Sequence, residues 1–206
     1  MNCTNYSNFR MDMISECRIK AIVRLREFSK LRGAQYCKAF CDIVINDTLL
    51  ETHEKIYLIY DLLKIRDTQN IIHKNVEVSR KCEYCNNQVI AALYCEFCIR
   101  NYLEKQFNKW TSENEEIDKL IRKCQHNAVS SSHIIEWIPY EHFENIELET
   151  STSNSDVYIA TWKNGPFTEW DNEQRKLKRG GRGTYILKTL KISEKRYNEV
   201  MICGFS

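Results

Sequence analysis

Glycine and proline are scarce in this sequence: there are six glycines and two prolines in 206 residues, and all of them except Gly33 lie beyond residue 138. A chain without helix breakers over its first two thirds is expected to be mostly helical there, with strands and turns confined to the remainder. Long apolar runs are missing as well. The most apolar stretches, Ile43–Ile45 and Ile56–Tyr60, fall far short of the roughly 18 residues a membrane helix needs, and Met1–Arg10 carries no apolar run of the signal-peptide kind. No membrane partner is expected, and a cytoplasmic location is. An excess of one charge is also lacking, because 30 Lys+Arg against 28 Asp+Glu leave a net charge of +2. That balance gives no broad electrostatic reason to expect nucleic acid as a partner. A mean hydropathy of −0.52 and 43% hydrophobic residues describe a globular chain of one ordinary domain or two small ones.

Cysteine, by contrast, is plentiful, with ten residues. In a reducing compartment such a count points to metal ligation rather than to disulfides. The pattern is Cys82-Glu83-Tyr84-Cys85, nine intervening residues, then Cys95-Glu96-Phe97-Cys98. A two-residue spacer lets both thiolates of a pair point at one ion, and four sulfurs complete the tetrahedral shell that zinc prefers. Cys82, Cys85, Cys95 and Cys98 are therefore read as the ligands of a zinc ion. With all four positions filled by protein there is no place for a reacting water, so the ion is expected to be structural. Asn86-Asn87 can turn the chain, Gln88–Tyr94 can return it as a short strand, and a helix from Ile99 to Trp110 follows the second pair. Cys37 and Cys41, four apart on one helical face, are read as small buried hydrophobes, and Cys124 with His126 as ordinary residues at a helix end.

Apolar periodicity supplies the elements. Ile14, Ala21, Ile22, Leu25 and Phe28 recur at helical spacing, as do Tyr36, Phe40, Ile43 and Val44, and then Ile56, Ile59, Tyr60 and Leu63. Thr111–Glu115 offers an N-cap with an acid three residues on, ahead of the stripe Ile117, Leu120, Ile121 and Cys124. Beyond it, Asn145–Leu148, Val157–Lys163 and Thr184–Leu190 read as strands, with a turn at Asn164-Gly165-Pro166 and a short final helix from Ser193 towards Met201. Arg175, Lys176, Lys178, Arg179 and Arg182 lie in a glycine-bearing insertion that reads as a long solvated hairpin loop. The expected fold class is α+β: a helical region over 1–80, a small four-cysteine zinc unit with following helices over 81–126, a linker over 127–136, and a partial sheet domain over 137–206.

The later residues carry a resemblance. Trp137-Ile138-Pro139-Tyr140, Asn145-Ile146-Glu147, Val157-Tyr158-x-Ala160-x-Trp162-Lys163-Asn164-Gly165-Pro166 and Ile186-Leu187-Lys188-x-Leu190 together resemble the start of a protein kinase domain. The resemblance is to the large expanded kinase family of arbuscular mycorrhizal fungi. Tyr94-Cys95-Glu96-Phe97-Cys98 running into Arg100-Asn101-Tyr102-Leu103, and Asn108-x-Trp110-Thr111-Ser112 leading to Ile117-Asp118-x-Leu120-Ile121, are similar to the segment that precedes the kinase domain in that family. The likeness covers about residues 80 to 200.

Carried across residue by residue, the resemblance implies that Lys188 is the lysine that pairs the ATP phosphates, that Val157 packs on adenine, and that Glu199 is the lysine's partner on the next helix. The three glycine positions of the phosphate-covering loop fall on Thr150, Thr152 and Ser155, and Ile186 stands where a small residue usually lies over adenine. Threonine resists the positive φ that such loops use, so ATP with magnesium is expected to bind weakly. No His-Arg-Asp and no Asp-Phe-Gly occurs in the 206 residues, which makes the expectation a kinase-like N-lobe truncated after its third strand and helix. Such a product of a shortened gene, a gene-model fragment or a regulatory stump would transfer no phosphate by itself. The alternative is a zinc-stabilised interaction module with a degenerate kinase remnant. Half an N-lobe leaves an apolar sheet face uncovered, which invites a protein partner that covers the incomplete lobe, or aggregation.

Overall fold

A computed structural model describes residues 9–27, 33–74 and 79–190. Among them the chain is α+β, with five α-helices and small antiparallel sheets. It divides into two compact units, one of residues up to Arg80 together with Gln88–Leu93, the other of Lys81–Asn87 and the chain from Tyr94 onward.

In the first unit, α1 (Met11–Glu27), α2 (Gly33–Ile45) and α3 (Thr52–Ile72) enclose a core of Ile14, Cys17, Ala21, Leu25, Phe40, Val44, Leu50 and Leu58. On α1, Ile14, Ala21 and Leu25 are buried and Ile22 packs beside them as the spacing predicts, with Cys17 added; Phe28 lies outside the described residues. On α3 the predicted face is right only in part: Ile59 packs against the core and Tyr60 and Leu63 are half-buried, but Ile56 is 49% exposed, while Glu54, Leu58, Asp67 and Ile71 are buried. Two inward acids broke the apolar pattern there, each satisfied by specific donors. Glu54 accepts from the Arg10 guanidinium and backbone and closes a capping box with Glu51. Asp67 accepts from the amides of Ala92 and Leu93 at 2.9 and 2.8 Å. The Cys37 and Cys41 pair sits on α2 with no further ligand; among the described residues one metal-ligand cluster occurs, and it is elsewhere. Burial pushes the Cys41 thiol up, as expected of a packed thiol rather than a reactive one.

The second unit carries α4 (Glu96–Glu104), α5 (Glu115–His126) and two sheets. The two-residue strands β1 (Arg80–Lys81) and β2 (Gln88–Val89) flank the first cysteine pair, so the return strand expected over Gln88–Tyr94 is far shorter than read. Asn114 caps α5 by accepting from the amides of Glu116 and Ile117; Thr111 and Ser112 instead bond Asp118 from outside the helix. Strands β3 (Phe143–Ser151), β4 (Ser155–Trp162) and β7 (Gly183–Leu190) form an antiparallel sheet in the order β3-β4-β7. Its buried face holds Phe143, Ala160, Trp162 and Leu187, with Tyr158 and Tyr185 beside them. The segment 127–136, expected to be a linker, is packed over part of its length. Ala128, Ser130 and Ser131 are buried, Tyr94 donates its hydroxyl to the Val129 carbonyl at 2.9 Å, and Arg100 donates to that of Ala128 at 2.9 Å.

The insertion expected as a solvated loop is a second hairpin, β5 (Phe167–Asp171) with β6 (Lys176–Arg179). Gly165 starts it: at φ +61 a side chain would be strained, and a Cβ there would meet the Gly181 carbonyl oxygen at 2.1 Å. The final helix expected after Ser193 lies outside the described residues.

Candidate functional site

The first cysteine pair is carried by a tight turn. Cys82 donates its amide to the Asn87 carbonyl at 2.9 Å and its own carbonyl accepts from Asn86 at 2.9 Å, with Asn86 in the left-handed region at φ 59, a conformation asparagine tolerates. The second pair begins a helix. Cys95 is the N-cap of α4, its sulfur accepting from the Cys98 amide at 3.4 Å, which puts both thiols at the positive end of the helix dipole. A turn and a helix start thus present two sulfurs each to a common point.

The four Sγ atoms lie within 4.8 Å of one another. Cys82 and Cys98 sulfurs are 3.8 Å apart, those of Cys85 and Cys95 3.6 Å. A disulfide would bring a pair to about 2.05 Å, and a tetrahedral ion with bonds of about 2.3 Å requires sulfur separations of about 3.8 Å. The spacing is that of a metal shell. Electrostatics agree with it: burial raises the Cys82 thiol, but amides of Cys85 and Tyr84 outweigh that and bring it down to about 7, while burial lifts Cys98 to about 11 and pushes Cys95 up as well. Cys82 ionises more readily while Cys95 and Cys98 resist, and a divalent cation would relieve that by neutralising several thiolates at once. The donor set is four soft sulfurs with no open position, so the quartet can hold a structural metal of thiolate preference.

The residues that the kinase resemblance singles out fall into three groups. Val157 pairs with Lys188 and Ile159 with Ile186 across β4 and β7. Directly opposed residues share a face, as do residues two apart, so Val157, Ile186 and Lys188 stand on one side of the sheet, opposite the buried Ala160, Trp162 and Leu187. Ile186 is 58% exposed there and Lys188 is exposed. Thr150, Thr152 and Ser155 sit at the β3–β4 turn, which is knitted to itself. The Thr152 hydroxyl accepts from the Ser155 amide at 3.0 Å and donates to the Ser155 carbonyl at 2.9 Å, and Ser151 donates to the Asp156 carboxylate at 2.6 Å. Glu199 lies outside the described residues.

The basic residues of the insertion are mostly engaged. Lys178 pairs with Asp171 at 2.9 Å, Arg179 with Glu136 at 2.6 Å, and Arg182 with Glu144 at 2.9 Å. The Arg175 guanidinium lies over the Tyr84 ring at 3.7 Å. None of these contacts was legible as a site in the sequence.

Comparison with protein-family models, with curated proteins and with solved structures finds no match in any of the three. Among the described residues, no helix is long and apolar enough to cross a membrane.

Proposed function

We propose that the chain is a zinc-stabilised module joined to a protein-kinase-like N-lobe sheet, and that this sheet retains the shape of a nucleotide face but little of its binding power. The zinc part rests on the shell geometry of Cys82, Cys85, Cys95 and Cys98. The kinase part rests on the resemblance, and the observation that supports it is the register: Val157 opposite Lys188, with Ile186 two residues from Lys188 on the same side. That is the arrangement an adenine roof and a phosphate lysine need.

Weak binding follows from the turn. Phosphates are held by backbone amides free to donate, and the Ser155 amide already donates to Thr152 while Asp156 adds a negative charge beside the turn. One charge-assisted contact from Lys188 is worth roughly 1.5 to 3 kcal/mol, against the roughly 8 kcal/mol of micromolar affinity. Phosphoryl transfer needs in addition a catalytic-loop aspartate and magnesium ligands, motifs that the 206 residues do not contain. Titration with ATP and magnesium is expected to show no saturation in the micromolar range, with Lys188→Ala changing little. Phosphorylation of a generic substrate that Lys188→Ala abolishes would overturn the reading.

The second reading, an interaction module with a kinase remnant, is favoured by exposed apolar residues on the sheet, Leu148 at 58%, Ile186 at 58% and Ile159 at 37%. A protein partner would bury them.

A further inference from the structure

The hairpin β5–β6 meets the four-cysteine unit at two points. At its tip, Arg175 stacks on Tyr84, and Tyr84 is one of the two residues between Cys82 and Cys85. Along its first strand, Trp170 meets Tyr102 edge-on with ring centroids 5.8 Å apart. Tyr102 follows Cys98 by four residues on α4, which puts it on the same helix face as that cysteine. Each contact therefore falls on a surface carried by one cysteine pair, and an ion shared by the four sulfurs would tie those two pairs together.

The tip is shaped to make this contact. Asp171 accepts from the amides of Glu173 and Gln174 at 2.9 and 2.8 Å and pairs with Lys178, which holds its carboxyl down at about 2. Arg175 itself is in the left-handed region at φ 52, a position where glycine or asparagine would be at ease. An arginine there carries a conformational cost that its stacking offsets. The base of the hairpin is anchored separately, by Ser131 donating to the Thr168 carbonyl at 2.9 Å and by Arg179 with Glu136.

We infer that the hairpin is a metal-dependent strap: an ion held by Cys82, Cys85, Cys95 and Cys98 fixes the Tyr84 and Tyr102 surfaces on which Arg175 and Trp170 dock, and loss of that ion frees the tip while the base stays attached. The inference rests on the metal reading above. Because linkage is reciprocal, docking of the tip must also tighten the hold on the ion.

Hydrogen exchange on the full chain tests it, zinc-loaded and after chelation, with Arg175→Asn beside the wild type. Asparagine keeps the left-handed conformation accessible and removes the guanidinium with its stem. Chelation should raise exchange over residues 170–177 more than at Thr168 or over β4 and β7. Zinc-loaded Arg175→Asn should show the faster tip exchange at unchanged zinc content, and in equilibrium competition with a chelator should bind zinc about two- to five-fold more weakly, the factor that an exposed cation–π contact supplies. Bound zinc with a tip indifferent both to chelation and to Arg175→Asn would overturn the strap and leave the metal centre standing. A wild type that binds no zinc would instead remove the metal reading and this inference with it.

Discussion

Glu54 is fully buried in the helical unit and stays ionised because Arg10 bonds it, an effect that outweighs burial and, with the amides of Glu51 and Arg10, takes its carboxyl from the ordinary 4.5 to about 2. A carboxyl depressed on folding stabilises the fold above its unfolded value and loses that contribution as pH falls through the folded one. The helices should therefore lose stability between about pH 4.5 and 2. Thermal melts across that window should show the loss in the wild type and a much flatter profile in Glu54→Gln. Asp118 makes a similar case in the second unit. Burial raises its carboxyl, but bonds from the Ser112 hydroxyl and amide and from Thr111 win and leave it lowered. Asp118→Ala strands the buried Ser112 amide and should cost about 1–3 kcal/mol in denaturant unfolding, whereas Leu120→Ala, 58% exposed on the same helix, should cost little.

Elements were legible where a single periodicity governed them. The helices α1 and α2, the four-cysteine quartet and the strands of the larger sheet are all visible in spacing, because apolar stripes and paired thiols are local signals. What escaped was set by contacts distant in sequence. Ile56 is exposed on α3 because Glu54 and Asp67 face inward, and their partners, Arg10 and the amides of Ala92 and Leu93, lie far along the chain. The β5–β6 hairpin escaped because its charges look solvated until Glu136, Glu144 and Tyr84 come up to meet them. The stretch 127–136 reads as a spacer by composition, yet Ala128, Ser130 and Ser131 within it are buried, and Tyr94 and Arg100 bond the carbonyls of Val129 and Ala128. Limited proteolysis should leave Asn127–His133 intact for as long as the second unit stays folded; early cleavage there would show that Ser130 and Ser131 are not buried in solution.

At the scale of the molecule, the second unit gathers its chemistry around four sulfurs. A turn, a helix N-terminus and a hairpin converge there, and the sheet with Val157, Ile186 and Lys188 belongs to the same compact unit. A structural zinc ion held by cysteines contributes roughly 10 kcal/mol or more of apparent binding energy at neutral pH, comparable with the whole stability of a small domain, and these four sulfurs could hold such a metal. The unit's fold should therefore depend on the ion more than on any one side chain. Elemental analysis of the purified, reduced chain, with Cys95→Ser beside it, tests this most directly: one zinc per chain in the wild type and none retained in the variant is the predicted result, and a wild type without metal, or a variant that keeps as much, would contradict it.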